Sequence, residues 1–294
     1  MIDFRHRTFL KLCQIKNYTK TAENLHVTQP TISQHIKHLE KYYGVKLFNY
    51  SSKKLKITEA GKKLYHYTER MIADSREIKK ILQEKNEFKN IIFGATLSIG
   101  EFVMPEILIK AMKQKPKLNF DMLVENTQTL IEKLKKGEIH FAILEGFFDK
   151  SKFGHQLFSK ENFIGVSSSQ SKYCNYEIEM EELLNSCLIL REKGSGTRDI
   201  LEQLLYENNL RKESFDKVIE IGNMSAIKRL VAENKGITFM YQAAAEKELE
   251  NDLLKPLKIN DFEVKREFNF VYLKDSVFED QYHKYFKLFS SYRK

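Results

Sequence analysis

The 294 residues are enough for about two domains at roughly 150 residues each. A 42% share of hydrophobic residues and 30% of charged ones exclude a disordered chain. The first twelve residues mix charged and apolar side chains and no transmembrane pattern is present, which predicts a cytoplasmic protein without a membrane partner. Cys13, Cys174 and Cys187 are too scattered for a disulfide framework or a zinc site, and we expect buried thiols.

Positive charge is concentrated near the amino terminus. Residues 1–58 contain eleven Lys and Arg residues against three acidic ones, a net charge of +8, which leaves +1 of the total +9 for the rest of the chain. A basic segment attached to a neutral one is typical of a nucleic-acid-binding module joined to another domain. A solvated basic face is the alternative that charge alone leaves open.

Three helices are predicted within the first 43 residues. Phe9 and Leu12 belong to an apolar face with helical spacing. Asn17 opens a second short helix and Thr28 a third, because both are cap-type residues. Pro30 is tolerated in the first turn of the third helix, where its missing N–H breaks no helical hydrogen bond.

The third helix has a polar face near its start. Two short helices joined by a tight turn, with such a face on the second, form the geometry that enters the DNA major groove. Ser33 and Gln34 suit base edges, whereas Thr28, Thr31 and Lys37 suit phosphates. An ordinary amphipathic helix pair is the alternative. The residues predicted to contact DNA from this helix are Thr28, Gln29, Pro30, Thr31, Ser33, Gln34 and Lys37.

A β-hairpin wing is predicted after Gly44. Apolar residues in segments 45–48 and 55–57 bracket the polar stretch 49–54. Lys53 and Lys54 at the tip are predicted to contact the DNA backbone or the minor groove. A lysine-rich tip that is merely solvated is the alternative.

A long helix is predicted from Thr58 to about residue 88. Its apolar stripe contains Leu64, Tyr67, Met71, Ile78 and Leu82. A stripe of this length on one helix needs a partner, so we predict a homodimer or a homotetramer. Asp74 and Ser75 interrupt the stripe, which favours a short paired helix over a continuous coiled coil.

Short apolar strands alternate with helices after residue 89. Strands are predicted at 91–95, 120–124, 141–144, 163–167, 187–190, 218–221 and 237–240. Helices are predicted at 105–115, 129–136, 198–208 and 226–234. Such alternation predicts an α/β domain with largely parallel sheets.

Residues 17–61 resemble the helix-turn-helix signature of LysR-type transcriptional regulators. The matching motifs are Ala22 with Leu25, Thr28-Gln29-Pro30, Ser33, Ile36, Leu39-Glu40, Gly44, Leu47-Phe48 and Ile57-Thr58-Glu59-Ala60-Gly61. One departure is Tyr50, which stands where the family usually has an arginine. The role of that arginine at the wing is therefore vacant or has passed to Lys53 or Lys54.

The resemblance extends over the remaining chain and implies a multidomain α+β protein. A winged helix-turn-helix (1–58) and a linker helix that pairs with a second copy (59–88) precede an effector-binding domain (89–294). That domain resembles periplasmic binding proteins, with lobe I at about 89–162 and 265–294, and lobe II at about 163–264. The implied function is sequence-specific transcription regulation controlled by a small effector, with double-stranded DNA and the chain itself as partners and RNA polymerase as a further one.

Two loops are candidates for the effector site, since ligands of open α/β sheets bind beyond the carboxyl ends of strands. The first contains Thr96, Leu97, Ser98 and Ile99, and the second contains Gly194, Ser195, Gly196 and Thr197. Helix capping alone is the alternative for the hydroxyls of the first loop. The family resemblance places the effector at both loops, and residues 222–228 at the edge of the cleft.

The sequence 191–198 resembles the branch of the family that regulates sulfur and carbon assimilation. This branch implies an inorganic sulfur oxyanion or a phosphorylated metabolite as effector, with no other cofactor. We expect no catalytic residues, because the common catalytic motifs are missing from the sequence. A solute-binding protein and a regulator switched by cysteine oxidation are competing interpretations. Peroxide sensors of the family carry cysteines where residues 194–198 stand here.

Overall fold

The structure, a computed structural model, describes residues 3–51, 54–83, 89–174 and 176–293. The chain divides into two compact units. The first contains the amino-terminal helices and hairpin together with Lys135–Glu138 and Asp275–Phe278. Its elements are α1 (Phe4–Ile15), α2 (Tyr18–Leu25), α3 (Gln29–Tyr43), β1 (Phe48–Ser51), β2 (Lys54–Ile57) and α4 (Glu59–Gln83).

Local capping fixes the ends of the first three helices. The side chains of Asp3, Asn17 and Thr28 accept hydrogen bonds from backbone N–H groups at the helix starts. The helices end at residues with left-handed backbone, and Gly44 does so after α3 with φ of 69°. Because glycine adopts positive φ without steric cost, the chain turns sharply there into the wing.

The wing and the three helices share one hydrophobic core. Buried apolar side chains of α1 and α3 pack with residues on both sides of the hairpin, including Phe9, Leu12, Ile36, Leu39, Leu47, Phe48 and Leu55. Glu40 strengthens this arrangement, since its carboxylate accepts hydrogen bonds from Leu47 N at 3.0 Å and Lys46 Nζ at 2.7 Å. At the start of α4, a Cβ on Gly61 would lie 2.4 Å from Leu47 O, so only glycine fits.

The 25-residue helix α4 has two different faces. Tyr67, Met71, Ile78 and Leu82 are exposed, whereas Leu64 packs against the amino-terminal core. Leu64, predicted as part of the same apolar stripe, is thus partly buried against this core, and its role in pairing stays a prediction. Asp74 is buried and accepts a 2.6 Å hydrogen bond from Ser276 Oγ, whereas Ser75 is exposed between Met71 and Ile78.

The second unit is an α/β domain. Its strands are β3 (Lys89–Ala95), β4 (Leu118–Val124), β5 (Phe141–Leu144), β6 (Phe153–Ser168), β7 (Glu177–Ile178), β8 (Cys187–Leu190), β9 (Lys217–Glu220), β10 (Thr238–Tyr241), β11 (Leu254–Pro256), β12 (Lys258–Ile259) and β13 (Val264–Leu273). Its helices are α5 (Leu97–Phe102), α6 (Met104–Gln114), α7 (Thr127–Lys135), α8 (Gly196–Glu207), α9 (Met224–Ala232), α10 (Gln242–Glu250) and α11 (Glu279–Ser290). The main sheet has the order β10-β6-β13-β5-β3-β4, with β11 beside β6.

Two long strands connect the lobes of this domain. The first part of β6 and the end of β13 pair in lobe I, where β13 also pairs with β5. The second part of β6 pairs with β10 and β11 in lobe II. Strands β8 and β9 pair in parallel in lobe II, and β3 pairs in parallel with β4 and β5 in lobe I. The predicted winged helix-turn-helix, linker helix and two-lobed α/β domain are confirmed.

Candidate functional site

The start of α3 is held by its own hydroxyl groups. Thr28 Oγ1 lies 2.8 Å from Thr31 Oγ1 and accepts a hydrogen bond from the backbone N–H of Thr31. Gln29 Nε2 donates to Ser33 Oγ at 3.0 Å. Pro30 occupies the first turn, as its missing N–H requires. Several side chains predicted to contact DNA thus also order the helix terminus.

The other described residues predicted to contact DNA lie on exposed positions. Gln34 and Lys37 are exposed on α3, and Lys54 is exposed at the start of β2. Lys53 lies outside the described residues. The assignment of all these residues to DNA contact stays a prediction.

A groove of about 410 Å³ separates α3 from the wing. Gln29, Ser33 and Lys37 line it from the helix, and Tyr50 lines it from β1. Tyr50 is 71% exposed and therefore presents its ring to this surface. In the sequence, Tyr50 stands out only as a departure from the family pattern. Tyr18, Lys46 and Asn49, which also line the groove, were not predicted.

The two predicted effector loops meet inside the second unit. Ser98 Oγ of α5 lies 3.3 Å from Thr197 Oγ1 of α8, although the residues are 99 positions apart. Both hydroxyls donate to the same carboxylate oxygen, Glu145 Oε1, at 3.3 Å and 3.2 Å. All three residues are buried. The contact joins lobe I, which carries Ser98 and Glu145, to lobe II, which carries Thr197.

Glu145 is the central residue that sequence reasoning missed. It follows directly after β5 and is 2% exposed. Burial raises the pKa of its carboxyl group to about 7, against the opposing effects of the Thr197 hydroxyl, the Arg191 charge and the Ser98 hydroxyl. Its position in the sequence could have identified it as a site residue. A carboxylate immediately beyond a fully apolar strand lies where the ligand sites of α/β proteins form.

Other residues of the first loop have different surroundings. Thr96 precedes α5, but its hydroxyl makes no capping hydrogen bond, and Oγ1 is buried without a protein partner. Simple helix capping, the alternative for this hydroxyl, is therefore not what the geometry shows. Ile99 is fully buried and Leu97 is half-buried.

The second loop brings the backbones of the lobes close together. Gly194 has φ of 91°, which favours glycine, and Ser195 is buried before the start of α8. A Cβ on Gly196 would lie 3.2 Å from the Glu145 side chain, and one on Gly146 would lie 3.1 Å from Gly196 Cα. Glycine at these positions permits the close approach of the two lobes.

Two arginines flank the second loop. Arg191 is buried, and its Nε and Nη2 donate to Glu192 at 2.7 Å and 2.9 Å, while Nη1 has no protein partner. Arg198 Nη1 binds Glu220 at 2.6 Å. Arg198 is therefore a structural cation, whereas Arg191 retains one unused donor.

The family-matched segment 222–228 ends in a buried lysine. Lys228 Nζ donates to Ala244 O at 2.9 Å and to Glu248 at 2.8 Å, and lies 4.4 Å from the centre of the Phe102 ring. These contacts occupy the ammonium group within the protein.

The cysteines differ from the expectation of uniformly buried thiols. Cys13 is buried, and burial raises its thiol pKa to about 12. Cys174 and Cys187 are only partly buried, so that expectation was wrong for them. Burial still raises the pKa of the Cys187 thiol, which lowers its reactivity.

The described ranges contain neither a membrane span nor a metal-binding cluster. None of their helices is long and apolar enough to cross a membrane. No group of three or more His, Cys, Asp and Glu side chains among them is arranged to hold a metal ion.

A winged helix-turn-helix joined to a two-lobed α/β domain with a polar interlobe cluster defines a DNA-binding regulator with a sensor domain. Residues 5–62 match the model of the bacterial regulatory helix-turn-helix protein, lysR family, and residues 89–280 match that of the LysR substrate binding domain. The chain belongs to the LysR family of transcriptional regulators.

Relatives with similar length support this assignment. The regulator CysL of Bacillus subtilis (strain 168) is 28% identical over 269 residues, which cover 90% of this chain and 89% of that protein. A probable RuBisCO transcriptional regulator of Thalassiosira pseudonana is 27% identical over 278 residues, covering 92% and 91%.

Solved structures share the fold at lower identity. The OxyR C206 mutant of Corynebacterium glutamicum has a TM-score of 0.63 at 20% identity, over 99% of this chain and 91% of that one. The regulatory domain of Synechocystis CcmR, solved in complex with 2-PG, has a TM-score of 0.59 at 21% identity, over 67% and 95%.

Proposed function

We propose that this LysR-family regulator changes its operator binding or promoter activation when a small anion binds between the lobes of its second unit. The contact of Ser98 with Thr197 carries the proposal, because it joins two loops, each beyond the carboxyl end of a strand, from different lobes. A ligand held between them favours the closed arrangement, and such a differential preference is what couples binding to a second site.

The charge of the cleft supports an anionic effector. The N-terminus of α8 and the unused Nη1 of Arg191 both favour negative charge. A neighbouring cleft of about 530 Å³ is lined by Lys150, Lys265 and Arg266 and by the acidic Glu207 and Glu267. Glu267 pairs with Lys150 at 3.1 Å, which leaves Lys265 and Arg266 as the basic residues of this cleft available to an anion. The six-residue α5 has few aligned peptide dipoles, so we assign the anion to the N-terminus of α8 and to the hydroxyls of the two loops.

The relatives narrow the class of anion. CysL and the RuBisCO regulators resemble this chain over most of its length, and the related CcmR domain binds 2-PG. We therefore propose a phosphorylated metabolite such as 2-phosphoglycolate, or an inorganic sulfur oxyanion. Thr96, Leu97, Ser98, Ile99, Gly194, Ser195, Gly196 and Thr197 are proposed to surround it.

The remaining assignments complete the proposed function. The exposed face of α3 and Lys54 contact DNA, and α4 pairs with a second copy through its exposed apolar stripe. We propose a non-catalytic cytoplasmic protein, either a dimer or a tetramer, that acts with RNA polymerase. No cofactor besides the effector is required for this function.

Calorimetry with a panel of anions tests the effector site. Sulfate, sulfite, thiosulfate and 2-phosphoglycolate are titrated into the full chain and into the double variant Thr96→Val with Ser98→Ala, which keeps volume but removes two hydroxyls. We expect the variant to bind operator DNA normally and to lose at least tenfold in anion affinity, about 1.4 kcal/mol. A control variant on α11, Ser290→Ala, should retain the parent affinity.

The double variant also decides whether the site is placed correctly. Equal anion affinity in parent and double variant would contradict the assignment of the hydroxyls to the effector. Unchanged ligand recovered at the end of each titration is expected, whereas a product would contradict the non-catalytic function.

A further inference from the structure

Four buried polar atoms of the second unit have no hydrogen-bond partner among the described residues. They are Thr96 Oγ1, Glu145 Oε2, Arg191 Nη1 and Tyr241 Oη. Each residue is at most 2% exposed. Thr96, Glu145 and Arg191 follow the last residues of β3, β5 and β8, and Tyr241 is the last residue of β10. The four therefore mark the strand ends where the two lobes face each other.

Unpaired buried polar groups are costly, so a cluster of four requires an explanation. A buried donor or acceptor without a partner costs about 1–3 kcal/mol. Arg191 Nη1 can only donate a hydrogen bond, and the hydroxyls of Thr96 and Tyr241 are also able to donate. Glu145 Oε2 is the exception if the carboxyl group is ionised, because a carboxylate oxygen can only accept.

The hydrogen bonds of Glu145 divide its two oxygens unequally. Oε1 accepts from two hydroxyls, those of Ser98 and Thr197, whereas Oε2 has no partner. This is the pattern of a neutral carboxylic acid, in which the carbonyl oxygen accepts and the hydroxyl is free to donate. With the proton on Oε2, all four unpaired atoms become donors.

We propose that Glu145 binds the effector as a neutral acid, donating its Oε2 proton to an oxyanion, so that one anion and one proton bind together. This inference rests on the proposed anionic effector and specifies how the same site selects it. Four unpaired donors at neighbouring strand ends match the several acceptor oxygens of sulfate or a phosphoryl group. An ionised Glu145 would instead repel that ligand in a buried site, where charges are poorly screened.

The charged groups around Glu145 do not neutralise an ionised carboxylate in place of the proton. Arg191 faces it from the end of β8, but two of its nitrogens are committed to Glu192. Tyr241 faces it from β10, with Arg266 of β13 and Glu161 of β6 acting on the Tyr241 side. The neighbouring helices α5 and α8 contribute the hydroxyls of Ser98 and Thr197.

The pH dependence of binding follows from this arrangement. Burial already raises the pKa of Glu145 to about 7 in the free protein, and a bound anion raises it further. Below pH 7 the proton is present before binding, so the affinity is constant. Above pH 7 it must be taken up, and the affinity falls about tenfold per pH unit, approaching a hundredfold loss from pH 7 to pH 9.

Sulfate is the appropriate probe, because its own charge does not change in this range. Its dissociation constant is measured calorimetrically from pH 6 to pH 9 for the full chain, in pairs of buffers with different ionisation enthalpies. We expect the tenfold slope and the uptake of up to one proton per subunit above pH 7. Glu145→Gln replaces the O–H donor with an N–H donor of similar shape, so it should bind sulfate with little pH dependence.

The control variant is Glu125→Gln, an exposed carboxylate directly after the neighbouring strand β4. It should retain the slope and the proton uptake of the parent. A parent affinity that does not vary with pH would overturn the inference but leave the anionic effector intact. Loss of sulfate binding in Glu145→Gln at every pH would also overturn it, because Glu145 would then act as an acceptor. Absence of anion binding to the parent at pH 6 would overturn the effector class and this inference with it.

Discussion

Side chains at the start of α3 fall into two groups, those that order the helix terminus and those that are exposed. Thr28, Thr31 and Ser33 hydrogen-bond within the helix terminus, while Gln34 and Lys37 are exposed and available to DNA. Base recognition and phosphate contact have different energetic signatures, since phosphate contacts carry no direct sequence information. Substitutions at Gln34 and Lys37 therefore separate the two roles.

Gln34→Ala is expected to lower discrimination between selected operator DNA and random DNA by about 1–3 kcal/mol, the worth of a bidentate base contact. Lys37→Ala should weaken both DNAs alike and reduce the salt slope by about one, because one phosphate contact is lost. Fluorescence anisotropy at several salt concentrations measures both quantities. Parallel losses on both DNAs from both variants would contradict the assigned base-contacting face.

Glu145 also affects stability, because its pKa is raised by burial in the folded state. A raised pKa stabilises the fold below the unfolded-state value of about 4.5, and this stabilisation is lost as pH rises to about 7. The loss is on the order of 3 kcal/mol for a shift of this size. The melting temperature of the parent should therefore fall relative to that of Glu145→Gln between pH 4.5 and pH 7. Above pH 7 the difference between the two proteins should stay constant. A difference that also stays constant below pH 7, measured by circular dichroism, would show that Glu145 is not buried in this way.

The contrast between Ser98 and Glu145 shows what sequence reasoning could reach at this scale. The position of the hydroxyls after a strand predicted that the two loops belong to one site, and Ser98 does lie 3.3 Å from Thr197. Glu145 was not predicted, because carboxylates are usually exposed and its burial depends on the approach of residues more than 50 positions away. Sequence patterns describe one element at a time, and this site exists only when both lobes are present.

At the scale of elements, α4 has one face that contacts residues 275–277 and another that carries exposed apolar side chains. Asp74 accepts hydrogen bonds from Ser276 Oγ and Val277 N, and Arg70 pairs with Asp275 at 3.2 Å. Met71, Ile78 and Leu82 remain exposed at helical spacing. Exposed apolar residues aligned on one helix face are typical of association between helices.

The double variant Met71→Lys with Ile78→Lys should weaken self-association and operator binding together, because each subunit would carry two charges into the paired surface. Light scattering over a protein dilution series measures the assembly, and anisotropy measures DNA binding. His66→Lys, which adds a charge at an exposed position of α4 away from the stripe, is the control and should remain assembled. An unchanged assembly in the double variant would refute the proposed pairing.

The strand predictions succeeded where strands are apolar and failed where they are amphipathic. Strands β5 and β8 have the predicted bounds, since each is a short apolar run. Strand β6 begins at Phe153 rather than at Phe163. Its first half contains polar residues at alternating exposed positions, so an apolar run marked only the second half. A crossing strand that is partly solvated lacks the composition of a buried one.

At the scale of the whole molecule, the response to a ligand depends on how closely the lobes can approach. Gly146 and Gly196 bring the two backbones together beside Glu145. A side chain at either position would contact the opposite lobe and keep the two lobes apart. Closure can therefore be altered without removing any polar group from the site.

Gly196→Val is expected to hold the lobes apart and to lower anion affinity at least tenfold, or about 1.4 kcal/mol, while the polar side chains remain. Calorimetry gives the affinity, and thermal unfolding shows whether the fold is retained. Ser290→Val, on α11 and outside both loops, is the control and should retain the parent affinity. Full affinity in a folded Gly196→Val protein would mean that binding does not require close approach of the lobes.

The paired crossing strands have a consequence for the modular construction of the protein. Phe163 lies opposite Val264, and Asn162 opposite Lys265, so the chain enters and leaves lobe II at adjacent points. Directly opposite residues in antiparallel strands are separated by only about 5 Å. Lobe II is therefore an insertion whose ends already meet, and a short turn can close lobe I in its place. The same geometry allows lobe II to be transplanted between related proteins as an exchangeable cassette.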